Sequence, residues 1–574
     1  MTALGDRVRT AEVGERLRHV DFGQRVLAAA VVLGAATGLA VAAFERIVAG
    51  GFLEPLLRAP LGVQLVAPTV GLLLTALVMV RGAPGASRAL SDEYLKAFHA
   101  RDGRLRMRDL PVRLGAGAIT LASGCAMGFE AVATHIGATF GSSLQARTSR
   151  WFGREQTKVL LVAGAAAGVA AIFKAPATGA LFAMEVPFQA DLARRTLLPS
   201  LLSAATGYLA FVAVNGTAPL FPVGITPPLD ASDLIAAVAI GVLAGVGARG
   251  FAWMVRQAKV RADDIHPAVR ALVGGASIAL LIGASRALTG ETLALGPGYR
   301  TIEWAFEPDH ALWVIVGLLV VRGLATIGAV GGGAVGGLFI PLVIEGALLG
   351  AAIGHVTGHE GSSLFPVLGI AAFLGAGYRV PLAAVVFVAE STGRPGFVVP
   401  GLIAAAASQL PMGAKSVTTY QRARRAGHLE GRLDLPIGTA LRTDAATVPS
   451  DARLQEVLDH HMLGVRLLSI PVVDGATYRG FVSLADVTAV AADRWTTTTI
   501  GEVMQTDLPV ADLSWTLGQA LAALDEADVD RLAVLDGDAY VGLLTLGEIL
   551  KLEEVLDAVA GGTSPRHDGT AGTA

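Results

Sequence analysis

"AGVAAIFKAPATGALFAMEV", residues 167–186, returns in altered form as "IAAFLGAGYRVPLAAVVFVAES", residues 370–391. In each copy small residues lead through an aromatic and a base to a proline, then into an apolar helix ending in glutamate. Pro176 precedes Glu185 by nine positions, and Pro381 precedes Glu390 by the same nine. Two equivalent halves imply an inverted internal repeat of the kind that transporters use, with the substrate held where the halves meet.

The surroundings of both copies are membrane-like. Of the 574 residues 53% are hydrophobic and only 16% charged, against about 25% charged in a soluble chain. Mean hydropathy is +0.57. The 70 glycines suit close helix packing and broken membrane helices. Clear apolar spans are 26–44, 63–80, 197–214, 234–248 and 311–321, whereas 112–127, 159–173, 337–350 and 381–389 are short or interrupted. A full crossing takes about 20 apolar residues, so the short ones are expected to cross partway, their ends lining a cavity.

The net charge of −3 says little, because the charges are unevenly placed. Arg7, Arg9, Arg16 and Arg18 precede the first span, and arginines return in the connections at 101–108 and 147–154. The positive-inside rule makes these segments and the N-terminus cytoplasmic. The first 25 residues are charged and lack a hydrophobic core, so no cleavable signal peptide is expected. Cys125 is the single cysteine, which excludes an intrachain disulfide and suits a small packing residue.

Near residue 415 the composition turns basic and hydrophilic, and two segments of soluble α/β character follow. The expected organisation is a cytoplasmic segment 1–25, a transmembrane domain 26–412, a linker 413–436, soluble copies 437–496 and 497–558, and a disordered tail 559–574.

Glu130 stands in "SGCAMGFEAV" (123–132), between nearly uncharged flanks. A charge at bilayer depth costs roughly 2.5–3.5 kcal/mol on insertion scales and is functional by default. A Gly-rich break before Glu130 and a helix after it place the carboxylate at a helix N-terminus, where free N–H groups and the dipole favour an anion. A carboxylate competing with a diffusing anion for one set of donors is a gate. "GGGAVGGLFIPLVIEGALLG" (331–350) repeats this pattern: an unwound Gly-rich segment, then a helix starting near Leu338 with Pro341 in its first turn. The N–H groups of Leu338 and Phe339 are expected to face the first site.

With these motifs the chain resembles the CLC family of chloride channels and transporters, with a C-terminal pair of CBS domains. The family's Gly-(Lys/Arg)-Glu-Gly-Pro motif corresponds to "GFEAV" with Glu130, and its Gly-x-Phe-x-Pro motif is matched in full by Gly337, Phe339 and Pro341. The resemblance implies an all-α polytopic bundle joined to a cytoplasmic α/β CBS pair. It implies a homodimer with one pore per subunit, Glu130 as the gate, and anions held by backbone amides. Those amides would be at Gly128, Phe129, Ala131, Leu338 and Phe339. The departures are Ala131 and Val132 for Gly and Pro, and Phe129 for the basic residue. The family's early Gly-Ser-Gly-Ile-Pro is not found within 82–95, so no serine ligand is assigned, though Ser87 is nearby. Its pore tyrosine falls at Thr418, with Tyr420 two residues on as the candidate ligand. The inner proton-coupling glutamate is replaced by Val186, as in the family's channels, and Glu185 is expected to partner a backbone donor or a base.

CBS pairs often bind adenosine nucleotides, and the ribose-contacting pattern matches Ser483 with Asp486 and Thr545 with Glu548. His135 reads as a buried, hydrogen-bonded histidine, and Lys174 as an anion-attracting or snorkelling base. The sequence therefore reads as an anion pathway, chloride first, channel-like or weakly coupled, gated by Glu130 and modulated by the CBS pair. The alternative is a proton-coupled antiporter with a different inner proton route. A divalent-cation transporter would need clustered carboxylates, but Glu130, Glu185, Glu345 and Glu390 are scattered. No hydrolase motif or nucleic-acid partner is read, and no cofactor is required.

Overall fold

A computed structural model describes residues 2–83, 87–101, 103–148, 158–218, 220–221, 230–422, 433–463, 469–527, 529–549 and 551–552, with side chains from residue 24 onward. The chain forms two compact units, 1–423 and 424–574. The tail 559–574 and part of the linker, 423–432, lie outside the described residues.

The first unit is helical. It opens with α1 (Thr2–Glu45), α2 (Glu54–Leu57), α3 (Leu61–Gly82), α4 (Leu90–Ala100) and α5 (Leu110–Ala122). There follow α6 (Glu130–Arg147), α7 (Val159–Phe173), α8 (Pro176–Glu185), α9 (Leu197–Asn215), α10 (Ala231–Asp263) and α11 (Pro267–Thr289). The last six are α12 (Tyr299–Phe306), α13 (Leu312–Gly332), α14 (Phe339–Val356), α15 (Leu364–Tyr378), α16 (Pro381–Thr392) and α17 (Val398–Met412). Among the described residues eight helical stretches are long and apolar enough to cross a membrane. Two readings change. The segment 337–350 belongs to α14, which runs 18 residues to Val356 and is long and apolar enough to cross. The crossings at Pro267–Thr289 and Pro395–Met412 were both missing from the clear spans, because glycine, serine and two arginines dilute the first, and proline, glycine, serine and glutamine the second.

Burial separates core helices from those that turn an apolar face outward. The apolar window of α14 is 72% buried, against 33–44% in the other seven crossings, and every residue of α7 and α15 is buried. The long helices instead turn side chains such as Ile235, Leu280 and Leu410 outward. A helix that is apolar all round belongs either in a protein core or in lipid, and both kinds are present.

The repeat reaches further than its sequence showed. Gly137 and Gly346 stand seven positions past the starts of α6 and α14, and Gly164 and Gly369 stand ten before Lys174 and Arg379. A Cβ on Gly137 would lie 1.9 Å from the Gly164 carbonyl oxygen, and one on Gly369 2.0 Å from that of Gly346. The α6–α7 and α14–α15 backbones thus touch at equivalent glycines, the close approach that small residues permit in membranes. Lys174 and Arg379 end α7 and α15 in the left-handed conformation, at φ 54° and 57°.

The second unit holds one five-stranded sheet among its described residues. Its strands are β1 (Ser469–Asp474), β2 (Thr477–Ser483), β3 (Val510–Asp512), β4 (Arg531–Asp536) and β5 (Ala539–Thr545), in spatial order β1-β2-β5-β4-β3. The antiparallel hairpins β1–β2 and β4–β5 correspond, and β3 runs parallel to β4. In the first copy the equivalent of β3 shrinks to a single parallel bridge, Val448 to Val472.

Gly137→Val forces α6 and α7 apart, and the folded protein is expected to lose its single symmetric peak in detergent gel filtration. Gly250→Ala, in open space on α10, should elute as wild type.

Candidate functional site

The two Gly-rich breaks meet. The Gly128 N–H donates to the Gly337 carbonyl at 2.9 Å, and the Gly337 N–H returns the bond to Gly128 at 2.8 Å. Such an exchange between equivalent residues is what a two-fold relation produces. Just beyond it begin α6, with Glu130 as first residue, and α14, with Phe339 as first residue. Both helix starts therefore bring their unpaired N–H groups to one place.

Glu130 is 2% exposed and lies across the junction. Its Oε1 accepts from the Phe339 N–H at 2.6 Å, while Oε2 is buried with no partner among the described residues. A Cβ on Gly128 would stand 1.9 Å from Oε2, and one on Gly337 1.8 Å from Oε1. Only glycine fits under the carboxylate. The surrounding loops are tied down by Val335 N–H donating to Thr120 Oγ1 (3.1 Å), Thr326 Oγ1 to the Ala126 carbonyl (3.2 Å) and Gly296 N–H to the Gly124 carbonyl (2.7 Å). Against the Phe339 ring pack Phe173, Phe387 and Phe182, with centroids at 4.3, 4.8 and 5.5 Å.

Two further membrane glutamates also sit on helix starts, each on the other repeat's. Glu185 accepts from Leu382 N–H (3.2 Å) and Ala383 N–H (2.9 Å) at the start of α16. Glu390 accepts from Ala177 N–H (2.9 Å), Thr178 N–H (2.7 Å) and Thr178 Oγ1 (2.6 Å) at the start of α8. The nine-residue spacing of proline and glutamate thus builds a reciprocal pair of caps. Glu185 partners backbone donors, one of the two roles expected of it. Glu345 Oε1 also lacks a partner among the described residues.

The expected amide ligands divide. Phe339 donates to the Glu130 carboxylate, and Leu338 and Ala131 are buried beside it at the two helix starts. Gly128 does not offer its N–H, because Gly337 takes it. Phe129, also buried, sets its ring edge-on to Phe44 at 6.3 Å. Tyr420 is not brought here. It is 41% exposed with Lys96 Nζ over its ring at 5.6 Å, because Asp92 ties down the preceding residue through the N–H and hydroxyl of Thr419. Thr418 pairs with the Ser416 hydroxyl, and Ser87 accepts from the Ala89 N–H.

Sequence reasoning missed Tyr378, which is 1% exposed and has its ring centroid 6.4 Å from that of Phe339. Its signal was the aromatic before the base in the second repeat copy. His135 is buried, but its Nδ1 lacks a partner among the described residues, so the expected hydrogen bonding is incomplete. Lys174 donates to the Ala218 carbonyl at 3.1 Å. Residues 413–422, read as linker, pack on the first unit: Gln421 Nε2 donates to the carbonyls of Val186, Phe188 and Tyr378.

In the second unit Asp486 closes a capping box with Ser483 and accepts from Gln505 Nε2 at 2.8 Å. Thr545 Oγ1 accepts from the Glu548 N–H, and the Glu548 carboxylate pairs with Lys551 at 3.2 Å. Both carboxylates stand at helix starts, as their spacing requires. Asp474, outside the membrane, accepts from the N–H and hydroxyl of Ser450, bonds that hold its carboxyl below the usual aspartate range.

Comparison with known proteins places this architecture. Residues 70–411 match the family model described as voltage gated chloride channel, and residues 437–493 and 500–554 match that of the CBS domain. The chain is 29% identical over 402 residues to a putative chloride channel protein ClcB-like of Ralstonia nicotianae, covering 66% of this chain and 91% of that protein. It is 28% identical over 422 residues to the H(+)/Cl(-) exchange transporter ClcA of Citrobacter koseri, covering 69% and 87%. In fold it is similar to a slow cyanobacterial Cl-/H+ antiporter, at TM-score 0.60 and 21% identity over 68% of this chain and 96% of that one. A eukaryotic CLC transporter gives TM-score 0.57 at 17% identity, over 93% and 98%. A family model spanning more than half of the chain, two CBS matches and a shared fold lead to one conclusion: the protein belongs to the voltage-gated chloride channel (CLC) family and carries a C-terminal pair of CBS domains.

Proposed function

We propose that the chain conducts chloride through a channel-like or weakly coupled pathway in which Glu130 is the gate. One observation carries the reading. The Glu130 carboxylate fills a glycine-floored place between two helix N-termini, held by a single backbone N–H and with its second oxygen unpaired. Glu185 and Glu390 each hold two N–H groups and are static caps. Glu130 is therefore the carboxylate that a diffusing anion displaces with least loss, by swinging aside or by taking a proton. Val186, where many family transporters carry an inner glutamate, favours passive flux. Relatives named as exchange transporters, and a His135 Nδ1 without a partner among the described residues, make proton-coupled exchange the second reading. The working unit in this reading is a homodimer in the cell membrane, with the N-terminus and CBS pair cytoplasmic. The CBS pair would modulate flux, with an adenosine nucleotide at Asp486 and Glu548 as the ligand to test.

Proteoliposomes loaded with chloride, with external pH followed during efflux, test the gate. Wild type should release chloride without stoichiometric proton movement, and Glu130→Ala should make the flux independent of pH. Stoichiometric proton movement abolished in Glu130→Ala would establish exchange instead. Absence of chloride flux from both proteins would end the chloride reading.

The static caps should behave differently from the gate. Glu390→Ala removes three charge-assisted hydrogen bonds and is expected to cost at least about 2–4 kcal/mol of stability. Glu130→Ala should leave the detergent unfolding temperature unchanged or raise it. Equal losses in the two variants would contradict the distinction.

A further inference from the structure

Arg322 stands in the middle of α13 with none of its surface exposed. Every hydrogen bond it makes among the described residues goes to a main-chain carbonyl of the segment between α11 and α12. Nη1 donates to Ala294 at 2.8 Å and to Leu293 at 3.4 Å, and Nη2 to Pro297 at 2.6 Å and to Gly296 at 2.7 Å. That segment is not helical, and inside a membrane unit the protein must supply donors for such carbonyls. Gly298, at φ 97°, admits the guanidinium, since a Cβ there would stand 2.5 Å from Nη2. A guanidinium carries five donors in a planar fork, enough for four carbonyls, whereas an ammonium has three. The clamped segment in turn holds the break before Glu130. Gly296 N–H donates to the Gly124 carbonyl at 2.7 Å, and Gly124, at φ 77°, opens that break. One turn beyond Arg322 on the same face of α13, Thr326 Oγ1 donates to the Ala126 carbonyl at 3.2 Å. From α13 the break is thus tied twice, directly at 126 and through the clamped segment at 124. The Glu130 carboxylate itself has one hydrogen bond, from Phe339 N–H at 2.6 Å, so the seat of the break decides how well that bond is made.

We propose that Arg322 is a positioning residue for the gate: with Thr326 it holds the 124–126 turn that aims Glu130 at the start of α14. The proposal rests on the reading of Glu130 as gate and adds a residue that acts through it. A buried guanidinium is a costly device, and the cost is offset only while its N–H groups are filled. Losing one carbonyl would leave both a buried acceptor and a buried charged donor unpaired, so the four bonds hold as a unit. The clamp is therefore stiff, and stiffness matters where the group it aims has a single bond to lose. Thr326 adds a tie without a charge. With these ties loosened the break relaxes, the bond from Phe339 weakens, and the ionised carboxylate leaves the junction more readily. Flux at neutral pH then rises. Flux at acid pH, where a protonated Glu130 already yields its place, changes little.

Chloride efflux from proteoliposomes of the full-length protein, at neutral and at acid pH and with or without Glu130→Ala, tests this. Arg322→Gln should raise neutral-pH flux about five-fold, the equivalent of roughly one hydrogen bond, while acid-pH flux stays close to wild type. Arg322→Lys keeps the charge without the fork and should behave as Arg322→Gln does. Thr326→Val removes the second tie with no change of charge and should act in the same direction by a smaller factor. It keeps the proposal testable should the Arg322 variants not fold. In the Glu130→Ala background none of these substitutions should alter flux, because no carboxylate is left to position. Neutral-pH flux at or below wild type in the variants that fold, or a rise of equal size without the Glu130 carboxylate, would overturn the proposal while leaving Glu130 as gate. Wild-type flux in Arg322→Lys would assign the effect to charge and end the positioning role. Glu130→Ala that keeps the wild-type pH dependence would remove the gate itself, and this proposal with it.

Discussion

The backbone exchange between Gly128 and Gly337 is the constraint on which the rest of the membrane unit depends. It joins equivalent points of the two repeats, so it fixes both helix starts, α6 and α14, at one junction. Each start leaves N–H groups that no turn of its own helix can satisfy. In water those groups would be hydrated, but inside a membrane they must find partners in the protein or in a ligand. The junction is therefore an anion-attracting place by construction, before any side chain is considered. The paired glycines Gly137 with Gly164 and Gly346 with Gly369 hold the helices that carry these starts in backbone contact.

Symmetry builds the place, and departures from symmetry give it a function. Glu130 and Phe339 begin equivalent helices, but only Glu130 carries a carboxylate, and it reaches across to the other start. Glu185 and Glu390 keep the symmetry, each capping the other repeat's helix, and they sit where nothing needs to move. Phe129, in place of the family's basic residue, turns its ring to Phe44 and adds packing at the junction in place of charge.

Much of this was legible in the sequence. The proline-to-glutamate spacing revealed the repeat, and the two Gly-rich breaks located both helix starts to within a residue. Three things were not legible, each for a physical reason. The reciprocity of Glu185 and Glu390 is a contact between residues about 200 apart, which spacing within either copy does not encode. Gly128 was expected to offer its amide, but a glycine that permits close approach can also be used by the approaching backbone. Tyr420 was expected near the anion because a tyrosine falls close to the family's position. The Asp92–Thr419 bonds hold that stretch, and Tyr420 lies 41% exposed. The soluble pair was read from the repeated order of helix start, strands, turn and helix in its two segments, though the first copy's opening strand is reduced to a single bridge.

Magnitudes bear on why Glu130, and not the other two glutamates, is the carboxylate proposed to move. Placing a charge at bilayer depth costs roughly 2.5–3.5 kcal/mol, and a hydrogen bond to a charged group returns about 1.5–3 kcal/mol. Glu390, with three such bonds, and Glu185, with two, more than offset that cost and stay where they are. Glu130 has one bond and one buried unpaired oxygen, so its balance lies near zero. A soluble anion entering the junction meets the same N–H groups without being tethered to the chain. Once it is seated, the displaced carboxylate must reach water or take a proton, and either route removes the buried unpaired oxygen. The glycine floor suits the proposed exchange, since a Cβ at position 128 or 337 would occupy the space where the carboxylate lies. A gate of this kind needs its blocking group to be nearly, but not fully, satisfied, and one hydrogen bond in a membrane interior is about that amount.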